Sequence, residues 1–175
     1  MKHLISLCAL LLAALFLSGC GYRIGFTGHP QISSLAVAPV TNETLLFNAA
    51  GTLRSLLCER IMTDGTYKLK SESDADCIVN ARVVKAEFSE ISWSSDDDDD
   101  EENRKFFPEY YRVKVTVQYS VILPGRVKPL IGPATVVGSA MFDHAVDLEN
   151  ARRSGVKQAL WDASKKIVDA CSEAW

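Results

Sequence analysis

The clearest chemistry in the sequence belongs to a cysteine near its start. Leu17-Ser18-Gly19-Cys20 has the lipobox pattern, in which a leucine and two small residues precede a cysteine whose thiol takes up lipid. A basic start at Lys2 and an apolar run from Leu4 to Leu17 come before it. The run is shorter than the roughly 20 apolar residues that a membrane span needs, but it suits a secretory signal. The sequence therefore predicts a signal peptide over 1–19 and a lipid on Cys20.

Several acyl chains on one N-terminus anchor a protein stably, whereas a single chain does not. We therefore expect 20–31 to form a lipidated tether and 32–175 to form one domain held at the periplasmic face of a membrane. Gly21 follows Cys20 where inner-membrane lipoproteins commonly have Asp, which favours the outer membrane. The alternative is an ordinary secreted protein with an early cysteine.

Charge is distributed unevenly after the leader. From Cys20 onward there are 18 Lys and Arg against 22 Asp and Glu, a net charge of −4, but seven of the acids form one run, Asp96–Glu102. Without that run the net charge is +3, so the sequence predicts a mildly basic body with an acidic loop over 94–105. No stripe of interleaved basic and aromatic residues occurs, which argues against nucleic acid as a partner.

Motifs for catalysis or metal binding are missing from the sequence. It has no Gly-rich phosphate loop, no Gly-x-Ser-x-Gly elbow and no His-Glu-x-x-His, and His29 and His144 lie in no motif. The acidic run lacks the alternating ligands and central glycine of an EF-type calcium loop, so a solvated hairpin loop is the better interpretation. Nothing local in the sequence therefore indicates a catalytic site, although distant residues could still assemble one, and we expect no metal and no cofactor apart from the covalent lipid.

Three cysteines remain after Cys20: Cys58, Cys77 and Cys171. Cys58 and Cys171 fall on predicted helices and could form a disulfide if those helices are neighbours. Burial of all three as small apolar side chains is the favoured interpretation, because free cysteine is often buried.

The hydrophobic pattern predicts the order strand, helix, four strands, helix. The predicted strands are Ile32–Val40, Tyr67–Ser71, Cys77–Trp93, Tyr111–Val121 and Ala134–Phe142, and the predicted helices cover about 45–63 and some 25 residues from Leu148. Alternation changes phase at Val83-Val84, which predicts a β-bulge there. Since each helix must bury one apolar stripe, we expect an α+β two-layer sandwich, with both helices on one face of a mostly antiparallel four- to five-stranded sheet.

The Tyr111–Val121 strand directs its valines and tyrosines to one face and Arg112 and Lys114 to the other. Arg126 and Lys128 follow in the next turn. These four cations have two interpretations. They are either scattered charges on an ordinary wet surface, which the pattern alone favours, or contacts for an anionic ligand.

Four segments together resemble the LptE family of lipopolysaccharide-assembly lipoproteins: Cys20-Gly21-Tyr22-Arg23, Ile32–Val37, Asn42 before an amphipathic helix, and Ala75–Val79 opening a long strand. The resemblance implies a non-enzymatic plug inside LptD, a large outer-membrane β-barrel, that assists barrel assembly and lipopolysaccharide (LPS) delivery to the outer leaflet. The ligand would be anionic, which makes Arg112, Lys114, Arg126 and Lys128 candidate phosphate contacts. The acidic run departs from what this family leads us to expect.

A second resemblance leads to another class of function. The stretch from Ala36 to Thr44 is similar to the first strand and turn of LpoB-like and curli-secretion-like lipoproteins, which are an enzyme activator and a self-assembling secretion pore. LpoB-like proteins carry a long tether, however, and here the first strand begins only about a dozen residues after Cys20.

Overall fold

The computed structural model describes residues 29, 32–95, 106–144 and 147–173. In this part of the chain there are six strands, β1 (Ser34–Val37), β2 (Thr41–Asn42), β3 (Lys68–Leu69), β4 (Cys77–Ser95), β5 (Phe106–Ile122) and β6 (Ile131–Asp143), and two helices, α1 (Ala49–Asp64) and α2 (Leu148–Glu173).

The strands form one mixed sheet in the order β3-β1-β4-β5-β6, and β2 also pairs with β4. β1 and β2 run parallel to β4, and β1 runs parallel to β3, whereas β4, β5 and β6 are antiparallel. The predicted two-layer α+β fold, with both helices on one face, is confirmed. The sheet gains a strand over the four or five expected because Thr41–Asn42 pairs with β4, although its sequence predicts the start of a helix.

Strand β5 lies at the centre of the core. Its valines from Val113 to Val121 are fully buried, as their alternation predicts. On β4 the register shifts between Val83 and Lys85, at the position of the predicted bulge. The extra residue returns Ala86 and Phe88 to the buried face, where Phe88 pairs with Val113. The bulge therefore keeps one long strand apolar on the same side along its length.

Helix α1 begins at Ala49, four residues later than its apolar spacing predicts. Leu53, Leu57 and Ile61 are fully buried against the sheet. The helix ends at Gly65, whose left-handed backbone (φ 74°) lets its N–H donate to the Ile61 carbonyl at 3.2 Å. Its last residue, Asp64, therefore lies next to the end predicted at about residue 63.

Helix α2 lies directly on the backbone of β6. A Cβ atom at Gly138 would come within 2.0 Å of the Ala159 carbonyl oxygen and 2.7 Å of the Ala163 nitrogen. One turn before Ala159, Gly155 lies against the Phe142 ring, 2.5 Å from where its own Cβ would stand. Helix and strand approach this closely only because both glycines lack side chains.

Asp76 joins the start of β1 to the start of β4. Ser33 and Ser34 each donate two hydrogen bonds to its Oδ2, from the backbone N–H and from the hydroxyl, at 2.8–3.0 Å. The Asp76 N–H donates in return to the Ser34 hydroxyl at 3.1 Å. The Ser33 N–H, followed by the two hydroxyls, lowers the pKa of Asp76 to about 2.

Two of the three cysteines match the favoured interpretation. Cys77 and Cys171 are fully buried, and burial raises the pKa of their thiols to about 11 and about 12. Cys58 is a half-buried free thiol, so the alternative disulfide between Cys58 and Cys171 does not form. Thiols with such pKa values stay protonated and pack as small apolar groups.

We expect Gly138→Ala to lower the free energy of unfolding by about 1–3 kcal/mol, because the new methyl group would force α2 away from β6. Urea titration followed by circular dichroism measures this loss. Gly132→Ala, also in β6, is the control, since nothing lies within 4 Å of the point that its new Cβ would occupy and the variant should be neutral or slightly stabilised. Equal stability of the two variants would contradict the close packing.

Asp76→Asn should destabilise the protein at neutral pH but progressively less in acid. The folded-state pKa of Asp76 is about 2, below the ordinary 3.8, so its stabilising effect is complete above about pH 4 and is lost as the pH falls to 2. The gap between wild type and variant in urea-unfolding free energy should therefore close between pH 4 and pH 2. Asp74→Asn, which removes an acceptor for Ser71 alone, should show no such closing gap.

Candidate ligand-binding face

The helices cover one face of the sheet, and among the described residues no element covers the other, which we call the open face. Arg112 and Lys114 of β5 lie at its centre, opposite Met141 and Ser139 of β6. Three large apolar side chains are exposed among the polar ones: Tyr110, Val137 and Met141. The open face thus combines cations with apolar area, which suits an amphipathic ligand or a protein partner.

The two cations at its centre are not neutralised by ion pairs with described residues. The Arg112 Nη2 atom lies 3.9 Å from the Met141 sulfur, and no described carboxylate pairs with it. Lys114 stands opposite Glu87 in the ladder, but Glu87 bonds Lys85 at 2.8 Å. That hydrogen bond, followed by the charges of Lys85 and Lys114, lowers the pKa of Glu87. Arg112 and Lys114 therefore remain available to an anion.

Arg126 and Lys128 lie elsewhere. They are exposed in the β5–β6 turn, in which Arg126 N–H donates to the Leu123 carbonyl at 3.1 Å. Eight residues of β5 separate Lys114 from the end of that strand, about 27 Å at the usual rise per residue. The structure therefore brings Arg112 and Lys114 together but does not place all four candidates in one site.

Arg82, which is not among the candidates predicted from the sequence, is a further basic residue of the open face. Its guanidinium donates from Nε to Gln118 Oε1 at 2.7 Å and from Nη1 to Glu43 Oε1 at 3.1 Å. It lines an open concavity of about 370 Å³ together with Asn80 and Ser120. Only the β4–β5 register and the β2 pairing bring these residues together, so no local pattern could have indicated the cluster.

Cys20, the signal segment and the acidic run Asp96–Glu102 lie outside the described residues. Within the described ranges no group of three or more His, Cys, Asp or Glu side chains could hold a metal ion. Neither described helix combines the length and apolar character that a membrane crossing requires.

Several solved structures share this fold. The solution structure of an uncharacterised lipoprotein B from Nitrosomonas europaea superposes with a TM-score of 0.53 at 17% identity, over 88% of this chain and 90% of that one. PelC from Paraburkholderia phytofirmans, solved as a dodecamer, gives 0.52 at 12% identity over 86% and 95%. A minor lipoprotein from Acinetobacter baumannii gives 0.50 at 10% identity over 81% and 93%. At these identities the likeness is one of fold.

A comparison with curated proteins finds no match. The family model for LptE, lipopolysaccharide-assembly, matches residues 32–170, which include both helices almost entirely and every described strand. The residues that first suggested the family occupy defined places in the fold: Ser33 and Ser34 bond Asp76, and Asn42 lies in β2. The chain belongs to the LptE family of lipopolysaccharide-assembly proteins.

Proposed function

We propose that this protein is the lipoprotein partner of an LptD-like outer-membrane β-barrel, which it plugs and helps to assemble. In that role it assists the transport of LPS to the outer leaflet. The observation that carries the proposal is the family match over 32–170. The open face supports it, because a plug needs a surface that is not part of its own core with which to contact the barrel.

In this proposal Cys20 carries the lipid anchor and holds the domain on the periplasmic side of the outer membrane. The contacts that the structure describes for the tether lie near the C-terminal end of α2. The His29 N–H donates to the Tyr67 hydroxyl at 2.9 Å, and that hydroxyl donates to the Cys171 carbonyl at 3.1 Å. The role is one of binding and needs neither catalysis nor a cofactor.

The open face would receive the anionic parts of the ligand. Arg112 and Lys114 supply charge-assisted hydrogen bonds to phosphate, and Met141 and Val137 beside them supply apolar contact. Arg126 and Lys128 form a separate basic point at the β5–β6 turn. A ligand or partner would have to extend along β5 to reach both.

The alternative is a self-assembling or enzyme-activating lipoprotein of the curli-secretion or LpoB type. One observation favours it, namely the shared fold with PelC, which is solved as a dodecamer. In that case the open face would contact a second copy of the chain or a synthase instead of a barrel.

Affinity purification from native membranes with this protein as bait should recover a large outer-membrane β-barrel, identified by mass spectrometry. The same bait with Gly132→Ala is a matched control that should recover the same barrel, because that position is open. Recovery of a homo-oligomeric ring or of a peptidoglycan synthase, with no barrel, would overturn the proposal in favour of the alternative.

The double variant Arg112→Glu/Lys114→Glu should bind LPS at least about tenfold more weakly, since each cation near an anionic surface contributes about 1 kcal/mol. Its melting temperature should stay close to that of wild type, because both side chains lie on the open face. Lys68→Glu/Lys70→Glu, an exposed pair at the opposite edge of the sheet, is the control. If both double variants lose the same affinity, only net charge matters and the assignment of the site is wrong.

A further inference from the structure

The loop between β2 and α1 exposes two large apolar side chains. Leu45 is 106% exposed and Phe47 is 95% exposed, whereas Leu46 between them is half-buried against the core. Burying a leucine or a phenylalanine is favourable, so an adjacent pair left wholly in solvent indicates that something else covers it.

Internal hydrogen bonds fix the backbone of this loop. The Asn42 Oδ1 atom accepts from the Thr44 N–H at 3.0 Å and from the Thr44 hydroxyl at 2.7 Å, and its Nδ2 donates to the Leu46 carbonyl at 2.8 Å. The Leu46 N–H donates to the Thr44 hydroxyl at 3.2 Å. Because the backbone is already ordered, a partner need not order it on binding.

Cations of α2 stand next to the apolar pair. A groove of about 440 Å³ separates the loop from α2 and is lined by Leu46 and Val156 as well as by Arg152, Arg153 and Lys157. Glu149 bonds Arg153 at 3.2 Å and lies 4.0 Å from Arg152, so these four charged residues sum to +2. Arg152 also packs over the Phe88 ring at 4.3 Å, whereas Arg153 and Lys157 extend into solvent.

We propose that this loop docks onto an anionic phospholipid bilayer. Leu45 and Phe47 insert among the acyl chains, while Arg153 and Lys157 contact lipid phosphates. Apolar side chains flanked by cations are the arrangement by which proteins bind at membrane interfaces. The lumen of an outer-membrane barrel is polar, so this pair is out of place there. The inference goes beyond the proposed function and does not depend on it.

The loop lies far from the point at which the tether contacts the domain. The loop precedes α1, whereas His29, where the described chain begins, contacts Tyr67 beyond the other end of α1. The 16 residues of α1 span about 24 Å. Together with an anchor at Cys20, the loop would attach the domain at a second, distant point and so fix its orientation on the membrane.

Hydrogen exchange on the full-length protein tests the proposal. The protein is reconstituted in vesicles of phosphatidylcholine alone and of phosphatidylcholine mixed with phosphatidylglycerol, so that any lipid anchor holds it equally in both. Amides of residues 43–48 should exchange roughly tenfold more slowly on the mixed vesicles. Leu45→Ser/Phe47→Ser should abolish that difference, and so should Arg153→Glu/Lys157→Glu.

Matched controls separate this docking from general changes in polarity or charge. Met62→Ser/Val127→Ser removes two apolar side chains that are 62% and 104% exposed elsewhere, and Lys68→Glu/Lys70→Glu reverses two exposed charges on and next to β3. Both should retain the slow exchange. Equal protection on the two vesicle types, protection by LPS micelles alone, or equal loss in test and control variants would overturn the proposal. The charge reversals still decide the matter if the serine variant misfolds.

Discussion

The close contact of α2 with β6 is the constraint on which most of this structure depends. At Gly138 the helix lies against bare backbone, and at Gly155 the Phe142 ring fills the space that a side chain would need. This contact closes the core on one side of the sheet. It also carries Asp162 and Lys166 over the edge of β6 that pairs with no described strand, where Asp162 accepts from the Ser139 N–H and Lys166 donates to the Val137 carbonyl. The helix thereby covers backbone groups in the middle of an edge strand that could otherwise pair with another chain.

Much of this architecture could be predicted because it follows from the local periodicity of apolar residues in the sequence. The alternation along β5, the phase change at Val83-Val84 and the apolar stripes of the two helices each have one physical solution. The start of α1 could not be predicted in the same way. Leu46 fits the helical spacing, but side-chain hydrogen bonds between Asn42 and Thr44 hold the loop in another conformation until Ala49. The parallel pairing of β2 with β4 likewise depends on contacts between residues far apart in sequence.

In the candidate site, too, local patterns predict some features, whereas others depend on tertiary contacts. Alternation alone assigns Arg112 and Lys114 to the face opposite the core. Whether another element covers that face depends on tertiary structure. The prediction that grouped Arg126 and Lys128 with Arg112 and Lys114 did not take account of the length of β5, which separates the two pairs. The contacts of Arg82 with Gln118 and Glu43 arise from sheet register, which no spacing in the sequence encodes. Asp76 shows the converse. It lies in one of the segments by which the sequence resembles the family, and in the structure it accepts four hydrogen bonds from Ser33 and Ser34.

The polarity of the open face indicates what kind of partner it can contact. An antiparallel sheet can leave one face in water, and here most of that face is polar. A polar surface suits the lumen of an outer-membrane barrel, whose interior is polar too. The core needs nothing from a partner, since the apolar face of β5 is already buried beneath the helices. Arg112 and Lys114 form no ion pair with a described carboxylate, although Glu87 stands opposite Lys114, so both cations are accessible to an anionic group or to a partner side chain. The charges of the open face therefore contribute to binding and not to folding.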